Sequence, residues 1–307
     1  MALLPAAAST WYADVLYRGV PRLIACAILE TTDGLLLVDP GPAVPLGTLE
    51  SALASGGADF GDVRGLLLTH IHLDHAGAAG TVVQAHPHIQ VYVHARGAPH
   101  MVSPVRLLAS ARRIYGNRVN TLWGAVVPVP KANVHVLQGN EQLRFAGRVV
   151  RTVYTPGHAS HHVCYLDEAT GTVFAGDTAG MLIKGTRYLV PVSPSPDIDV
   201  EAWQSSLALL RSWKPAQLFV THFGPSRDVA WHLDHAGERL GAWAASVWTS
   251  LAAEADDAEQ AERFHREEMA RAFAELSECD RLPYEYMGQP RESWYGLARY
   301  WRKKRKQ

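Results

Sequence analysis

Side chains that bind metal ions are concentrated in one short segment of the chain. Residues 69–75 read Thr-His-Ile-His-Leu-Asp-His, and they come directly after an apolar run. In an extended segment residues i and i+2 point the same way, so His70 and His72 can hold one ion together. Asp74 and His75, where the chain turns into a helix, can face a second ion. These ligands suit zinc, manganese or iron, and the cluster contains no cysteine that would favour a softer metal.

Three later segments repeat this design, in which a polar side chain follows an apolar strand. They end at His158, Asp177 and His222, after the runs Val-Tyr-Thr-Pro-Gly, Val-Phe-Ala-Gly and Leu-Phe-Val-Thr. Each alone would be weak evidence, because a single histidine after a strand is more often a structural residue that hydrogen-bonds its surroundings. Together with the first cluster, and in this order along the chain, they indicate a metal site with seven ligands.

The order of these motifs resembles the metallo-β-lactamase superfamily, in which H-x-H-x-D-H is followed by a histidine, an aspartate and a histidine on later loops. The resemblance covers about residues 20–225 and implies an α/β fold, a four-layer αββα sandwich with the metals at one edge of two sheets. It implies one ion on His70, His72 and His158, a second on Asp74, His75 and His222, and Asp177 as a bridge between them. The all-His/Asp set is similar to glyoxalase II and the lactonases.

Such a site predicts hydrolysis that depends on two divalent metal ions, zinc first and manganese or iron as alternatives. Two ions roughly 3.5 Å apart share a water, lower its pKa and supply a bridging hydroxide, while one ion polarises the oxygen under attack. Asp74 and Asp177 are the expected catalytic carboxylates. No Gly-x-Ser-x-Gly segment indicates a serine nucleophile instead. We therefore expect a hydrolase that attacks the carbonyl of an ester, lactone or thioester in a small-molecule substrate.

Two other activities of this fold stay open. A phosphodiesterase or nuclease would share the site, but a formal net charge of −1 gives the chain no field that attracts nucleic acid. A mononuclear iron dioxygenase that acts on persulfides would need only one metal ion. A purely structural role is disfavoured, because no expected ligand is missing. A metal count, and a panel of lactone, thioester and bis-phosphodiester substrates, would separate these alternatives.

Four further residues are candidates for a supporting role or for contact with substrate. Asp39, before Pro-Gly at the end of an apolar run, is expected to hydrogen-bond the ligand loop, and a plain turn aspartate is the alternative. His161 and His162 follow the third ligand closely and could orient substrate or donate a proton, although ordinary polar residues at a strand edge are the favoured interpretation. Tyr188, in the loop after Asp177, could line a pocket or pack in the core.

Apolar runs and turn residues predict the elements that position these side chains. Strands are expected near residues 22–30, 35–38, 65–68, 91–94, 134–137, 148–154, 162–167, 172–176 and 218–220. Helices are expected near residues 45–55, 75–85 and 199–213, and Asp197 or Asp199 is the expected N-cap of the last. Two sets of strands interleaved with helices favour two sheets packed face to face with helices outside.

The chain divides into a predicted catalytic domain, residues 1–226, and a C-terminal helical region, residues 227–307, packed on it. A helical insertion is expected at about residues 97–124. The insertion and the C-terminal region carry large aromatic side chains that would wall the pocket or make a dimer contact: Tyr115, Trp123, Trp231, Trp243, Trp248, Trp294 and Trp301. We expect a homodimer, because these helices carry more apolar surface than the outer layer of a monomer would expose.

The remaining composition indicates the expected compartment. Three cysteines at widely separated positions argue against a disulfide framework. The first nine residues are apolar, but no Lys or Arg precedes them and the run is too short for a signal peptide. No run approaches the roughly 18 apolar residues of a membrane span. The chain is therefore expected to be a soluble cytoplasmic protein without a membrane span.

Overall fold

The computed structural model describes residues 2–194, 196–253 and 255–306. Seven strands form the first sheet in chain order: β1 (Leu4–Ala7), β2 (Thr10–Asp14), β3 (Ala25–Thr31), β4 (Gly34–Val38), β5 (Val63–Leu67), β6 (Gln90–His94) and β7 (Val134–Leu137). Neighbours from β1 to β4 are antiparallel, and those from β4 to β7 are parallel. Parallel neighbours cannot be joined by a tight turn, so this half of the sheet needs the helical crossovers that the sequence places there.

Eight further strands follow: β8 (Gln142–Phe145), β9 (Arg148–Tyr154), β10 (Val163–Asp167), β11 (Thr172–Phe174), β12 (Met181–Leu182), β13 (Leu189–Val190), β14 (Gln217–Val220) and β15 (Gly224–Ser226). The second sheet has the order β15-β14-β11-β10-β9-β8, and β12 pairs with β13 in a small ribbon. Strand β10 is antiparallel to β9 and β11, and β14 is parallel to β11. Strands β9, β11 and β14 therefore point the same way.

The described residues form eleven α-helices: α1 (Leu46–Ser55), α2 (Leu73–Ala76), α3 (Ala79–Ala85), α4 (Ala98–Val102), α5 (Val105–Tyr115), α6 (Val119–Trp123), α7 (Val200–Ser212), α8 (Val229–Ser250), α9 (Asp257–Glu275), α10 (Glu278–Met287) and α11 (Pro290–Lys304). Helix α7 begins at Asp199, whose carboxylate accepts a hydrogen bond from the backbone N–H of Ala202. Of the two predicted N-caps, the second is the one used. No helix in the described ranges is long and apolar enough to cross a bilayer.

Four layers result from the alternation of apolar side chains along the strands. Leu36 and Leu67 of the first sheet pack with Tyr165 and Phe219 of the second, in the space between the sheets. Their chain neighbours, such as Leu37, lie on the opposite face, in the core that also includes the apolar sides of α1 and α7. Because both faces of each sheet are covered, the central strands read as continuous apolar runs. The predicted αββα class with C-terminal helices is confirmed.

Several strands and one helix boundary differ from the sequence-based expectations. Strands β1, β2, β8, β12, β13 and β15 were not predicted. Five of them are only two to four residues long, and β2, whose Thr, Trp and Tyr do favour a strand, was not recognised. The helix expected near residues 75–85 is divided into α2 and α3 at Gly77. A Cβ atom at Gly77 would lie 2.4 Å from the carbonyl oxygen of Leu73, so the chain turns tightly there.

The C-terminal helices are tied together by a buried polar cluster. The Glu268 carboxylate is almost fully buried and accepts hydrogen bonds from Arg239 Nη2 at 3.0 Å, Trp243 Nε1 at 2.7 Å and Arg271 Nη1 at 2.8 Å. Arg239 Nη2 also donates to the hydroxyl of Tyr188 at 3.2 Å. The cluster therefore joins α8 and α9 to the loop that precedes β13. A buried charge of this kind needs such partners to offset the loss of hydration.

Candidate metal centre

The predicted ligands lie just beyond the carboxyl ends of strands from both sheets. Strand β5 leads into the cluster at residues 70–75, while β9, β11 and β14 lead to His158, Asp177 and His222. The structure brings all seven side chains together in two groups, and within each group the candidate ligand atoms lie within 4.8 Å of one another. The groups are His70, His72, His158 and Asp177, and Asp74, His75 and His222.

In the first group, three imidazole nitrogens point at a common centre. His72 Nδ1 lies 2.9 Å from His70 Nε2 and 3.0 Å from His158 Nε2. The carboxylate of Asp177 closes the group, with Oδ2 at 3.3 Å from His158 Nε2 and 3.9 Å from His70 Nε2. Imidazole nitrogens and a carboxylate oxygen are donor types that borderline metals such as zinc prefer.

The far ring nitrogens determine which tautomers these histidines adopt. His158 Nδ1 lies 3.0 Å from the carbonyl oxygen of Val192, which can only accept, so this nitrogen carries the proton. His70 Nδ1 lies 3.1 Å from Thr69 Oγ1, whose own hydrogen is directed at Asp39 Oδ2 at 2.7 Å. Both near nitrogens therefore present lone pairs to the centre. A proton on His72 Nδ1 can be donated to only one of them at a time, whereas a cation at the centre can bind all three nitrogens.

The second group repeats the arrangement. His75 Nε2 lies 3.2 Å from His222 Nε2, and Asp74 Oδ2 lies 3.5 Å from the same His222 atom. His75 Nδ1 donates to Asp39 Oδ2 at 2.8 Å, and His222 Nδ1 donates to the carbonyl oxygen of Leu23 at 2.6 Å. Both rings thus turn Nε2 towards the centre, as they would to bind an ion there. An acceptor behind each ligating imidazole is the usual second layer of a metal site.

Asp177 belongs to both groups. Its Oδ2 faces His158, and its Oδ1 lies 3.3 Å from His75 Nε2 and 3.7 Å from His222 Nε2. Oδ1 is buried, and without a metal its neighbours are these two ring nitrogens. The donor set and the position of Asp177 between both groups together fit two cations.

Burial keeps the first-group imidazoles neutral. It lowers the pKa of His158 to about 3, although the Asp177 carboxylate opposes the shift. Burial also lowers the pKa of His70 well below its ordinary value, and the neighbouring histidines add to that effect. The pKa of His72 falls for the same first reason. Neutral imidazole is the form that binds a metal ion.

Carboxylates dominate the electrostatics of the second group. Burial alone would lower the pKa of His75, but Asp177, Asp39 and Asp74 together hold it well above its ordinary value. Conversely, burial would raise the pKa of Asp74, and the neighbouring His75 and His222 bring it down to about 2. Without a metal, this group is therefore an ion pair between carboxylates and protonated imidazoles. A metal ion that binds there would displace protons from the imidazoles.

Asp39 stands directly behind both groups. It is fully buried, and Oδ1 accepts from the backbone N–H of Thr69 at 2.8 Å. Oδ2 accepts from the hydroxyls of Thr69 and Thr221 at 2.7 Å each, and from His75 at 2.8 Å. These contacts hold the loops that carry the ligands of β5 and β14, from different sheets. Asp39 thus orients ligands rather than facing the cleft.

The two histidines after the third ligand occupy different positions. His162 is fully buried, and its Nε2 accepts a hydrogen bond from the backbone N–H of Asp177 at 3.2 Å. His161 lines the cleft, stacks on His70 with ring centroids 6.1 Å apart, and has no described partner for its buried Nδ1. Burial lowers the pKa of both rings well below the ordinary value. His162 therefore positions the Asp177 backbone, and His161 faces the space above the centre.

A glycine makes the approach of Asp177 possible. Gly176 has φ 46°, in the left-handed region that glycine adopts most readily. A Cβ atom there would lie 2.5 Å from Thr69 Oγ1 and 2.7 Å from His162 Nε2. Only a residue without a side chain allows this loop to pack against the ligand loop of β5.

A cavity of about 290 Å³ opens above the centre. Its floor includes His72, Asp74, His158 and Asp177, and one wall is formed by α5. At the end of α5, the hydroxyl of Tyr115 donates to Gln289 Oε1 at 3.1 Å, so the insertion meets the C-terminal region across the cavity.

Some of the residues that line this cavity were indicated by the sequence, and others were not. Tyr115 and Trp123 wall the pocket, one of the two roles considered for the aromatic side chains. Tyr188 is not among the described lining residues, and it is buried against Arg239 and Tyr284. Gln289 had no motif that could have revealed it, because it reaches the cleft from a distant part of the chain.

Comparison with known proteins places this centre in a family. A sequence model of the metallo-beta-lactamase superfamily matches residues 19–222. A metallo-beta-lactamase fold-containing protein of Sulfurisphaera tokodaii is 29% identical over 182 residues, covering 57% of this chain and 67% of that protein. An atrochrysone carboxyl ACP thioesterase of Aspergillus fumigatus is 26% identical, over 67% of this chain and 39% of its own length. A hydroxyacylglutathione hydrolase of a Synechococcus species is 28% identical, over 49% and 48%.

Solved structures show the same fold. A metallo-beta-lactamase family protein from Thermus thermophilus superposes with a TM-score of 0.68 at 23% identity, over 92% of this chain and 89% of that chain. An archaeal superfamily protein from Sulfolobus tokodaii gives a TM-score of 0.60 at 23% identity, over 77% of this chain and 84% of that chain. The first of these likenesses extends beyond the family match into the C-terminal helices.

Proposed function

Because the chain belongs to the metallo-beta-lactamase superfamily, we propose that it is a hydrolase that uses two divalent metal ions, zinc in the first place, to cleave a thioester or a related ester. The observation that carries this proposal is the convergence of candidate ligand atoms in two groups, with one oxygen of Asp177 facing each group. His70, His72 and His158 would hold one ion, and Asp74, His75 and His222 the other. Ions held there would activate water and polarise a carbonyl oxygen.

The chain's own residues have distinct parts in this proposal. Asp177 offers one oxygen to each group of histidines, at 3.3 Å in both cases, and so fixes the spacing between them. Asp39 keeps the His75 ring in the tautomer that presents Nε2. His161, neutral because of its burial, is placed to orient a bound substrate rather than to act as a general acid.

The choice of a thioester rests on the relatives. Two similar proteins are named as thioesterases and a third as a hydrolase of hydroxyacylglutathione. The chain spans less than half the length of each of these three, so their substrates come to it only as a proposal. A thioester also suits a neutral His161, because a thiolate leaves without needing a strong acid.

The test combines a metal count with a substrate panel. Protein reconstituted with zinc should carry about two ions per chain and should hydrolyse thioesters faster than lactones or bis-phosphodiesters. Asp177→Asn should lose most activity and at least one ion, while Asp33→Asn, at an exposed turn away from the centre, should keep both ions. A ceiling of one ion in the wild-type protein would contradict the dinuclear site, and turnover of bis-phosphodiesters alone would contradict the proposed bond.

A further inference from the structure

We propose that the cleft selects substrates with an anionic end, and that Arg96 and Arg106 bind this end. The inference rests on the proposed function, because it places the reacting bond above the metal centre. It goes further in fixing the charge of the substrate at a distance from that bond. The ligand class is a carboxylate or phosphate joined through an apolar stretch to the thioester.

The two arginines share one cavity with the centre. Arg96 follows β6, and Arg106 lies in the first turn of α5. Both side chains are exposed, and both line the 290 Å³ cavity that has Asp74 and Asp177 in its floor. A ligand that fills this cavity therefore lies beside both side chains.

The charges around the mouth of the cavity are unbalanced. No ion pair between described residues involves Arg96 or Arg106, and the Arg96 guanidinium instead lies 5.7 Å from the Tyr154 ring centroid. Among the described lining residues outside the centre, the carboxylate is that of Asp197, which accepts a hydrogen bond from Ser160 Oγ at 3.0 Å. The mouth is thus locally positive on a chain whose formal net charge is −1. Such a patch attracts anions to the cleft.

The length of helix α5 gives the approximate distance between the reacting bond and the anionic end of the ligand. Tyr115 is close enough to Asp74 for that carboxylate to add to the effect of burial in raising the pKa of its hydroxyl. Arg106 lies nine residues earlier on α5, roughly 13 Å away along the helix axis at a rise of about 1.5 Å per residue, and the two side chains flank the stripe that faces the cavity. Leu107, Ala111 and Ile114 line the cavity between them. A ligand with an apolar chain and a charged end fits the apolar side chains of α5 and the arginine beyond them.

Arginine suits this role better than a general positive field would. Its planar guanidinium binds carboxylate or phosphate through two parallel hydrogen bonds. The anion can belong to the acyl group or to the leaving thiol, and the chemistry of recognition is the same in both. Substrates charged at one end or the other separate the two sources.

The experiment compares matched thioesters with the zinc-loaded protein. One pair carries an eight-carbon acyl chain that ends in a methyl group or in a carboxylate. The second pair carries the same charge difference on the thiol. In the wild-type protein, kcat/KM should favour the anionic member of one pair at least about fivefold, as expected for charge-assisted hydrogen bonds at a partly exposed site. In Arg96→Gln/Arg106→Gln that ratio should fall towards one, and Arg106→Glu should invert it.

A control and a second readout keep the outcomes distinct. Arg112→Gln changes an exposed arginine on the opposite face of α5 and should preserve the ratio. Calorimetric binding of octanedioate against octanoate gives the same comparison without turnover. Equal ratios and equal affinities in the wild-type protein would overturn the inference and leave the proposed hydrolysis standing. A preference for octanedioate that needs both arginines, without hydrolysis of any thioester, would support the anion site and contradict the proposed function.

Discussion

Each of four histidines proposed as ligands is held by an acceptor on the ring nitrogen that faces away from the centre. The acceptors are Thr69 Oγ1, the carbonyl oxygens of Val192 and Leu23, and the carboxylate of Asp39. Only the last carries a full negative charge. It makes the bound imidazole more basic and so strengthens its bond to a metal. The affinity of the second group should therefore depend on Asp39 more than on any neutral acceptor.

Asp39→Asn should lower the affinity for the more weakly held ion by about 10- to 100-fold, the usual range for removing such a partner. The amide removes the charge, and its NH2 group faces donors that need an acceptor. Competition with a chromophoric chelator measures the affinity. Asp33→Asn, at the exposed turn between β3 and β4, is the matched control. An affinity equal to that of the control would show that Asp39 only supports the fold.

The buried imidazole of His232, in α8, should make the free energy of unfolding depend on pH. Burial lowers its pKa to about 4, and its Nε2 donates to the Ala179 carbonyl oxygen at 2.9 Å. An unfolded histidine has a pKa near 6.5, so between pH 6.5 and 4 the unfolded chain takes up a proton that the folded chain refuses. The free energy of unfolding therefore falls as pH falls through this window, by roughly 2 kcal/mol between pH 7 and 5.

Denaturant unfolding of His232→Gln at both pH values measures this contribution. The glutamine amide can still donate to Ala179 but does not titrate, so the loss of stability on acidification should be smaller by about that amount. The remaining buried histidines titrate in both proteins, and the difference isolates one residue. His235→Gln, one turn further along α8, should behave as the wild type does. Parallel pH dependences for all three proteins would contradict the assigned pKa.

At the scale of elements, the strands that carry ligands were the most predictable part of the chain. Their apolar runs end in histidines and aspartates whose combination and order along the chain indicate a metal site, so pattern and chemistry agree. Strands β1 and β8 could not be found in the same way, because edge strands depend on the neighbour that pairs with them. The walls of the cleft are harder still. Gln289 and Tyr115 meet through tertiary packing, which leaves no periodic signal.

The loop between β11 and Asp177 gives a prediction at this scale. Gly176→Ala should abolish the binding of at least one ion and lower stability, because the new Cβ would overlap Thr69 and His162. Gly185→Ala is the control, since Gly185 also has positive φ, 87°, but has nothing within 4 Å of a new Cβ. Gly185→Ala should lower the free energy of unfolding by only about 1–2 kcal/mol, the cost of placing an alanine in the left-handed conformation. Equal effects of the two changes on metal content would contradict the role of close packing.

At the scale of the whole molecule, the centre joins the two sheets. The first sheet contributes the cluster after β5, and the second contributes His158, Asp177 and His222. Ions held between them would link halves of the sandwich that otherwise meet through apolar side chains. The division at residue 226 and the homodimer stay predictions. Trp243 and Trp294 are fully buried within the chain, so these two are not available for a dimer contact.

Loading with zinc should raise Tm by about 5 °C or more over the chelated protein, because ligand that binds only the folded state stabilises it by mass action. Calcium at the same concentration is the control, since it prefers oxygen ligands and should shift Tm little. Scanning calorimetry should show one transition in both states if the sheets unfold together. An equal shift with calcium would point to a general charge effect.

Light scattering of the zinc-loaded protein checks the expected homodimer. The exposed aromatic surface of the C-terminal region includes Trp248 and Tyr295, each a little over 40% exposed. Trp248→Glu should weaken association if this surface is the contact, and Leu4→Glu, an exposed apolar position at the other end of the chain, is the control. A monomer throughout the micromolar range would contradict the expectation.

The division of the ligands between two sheets also bears on how the protein acquires its metal during synthesis. Residues 70–75 leave the ribosome long before His222 is made, roughly 10 to 30 s earlier at typical rates of translation. In that interval the early histidines and Asp74 can hold an ion only in part, as any flexible His-rich peptide does. The ion retained is therefore the one that suits the finished geometry, and early arrival confers no advantage. Metal identity in the cell would then be set by the affinities of the completed site together with the ions available when the last sheet strand docks.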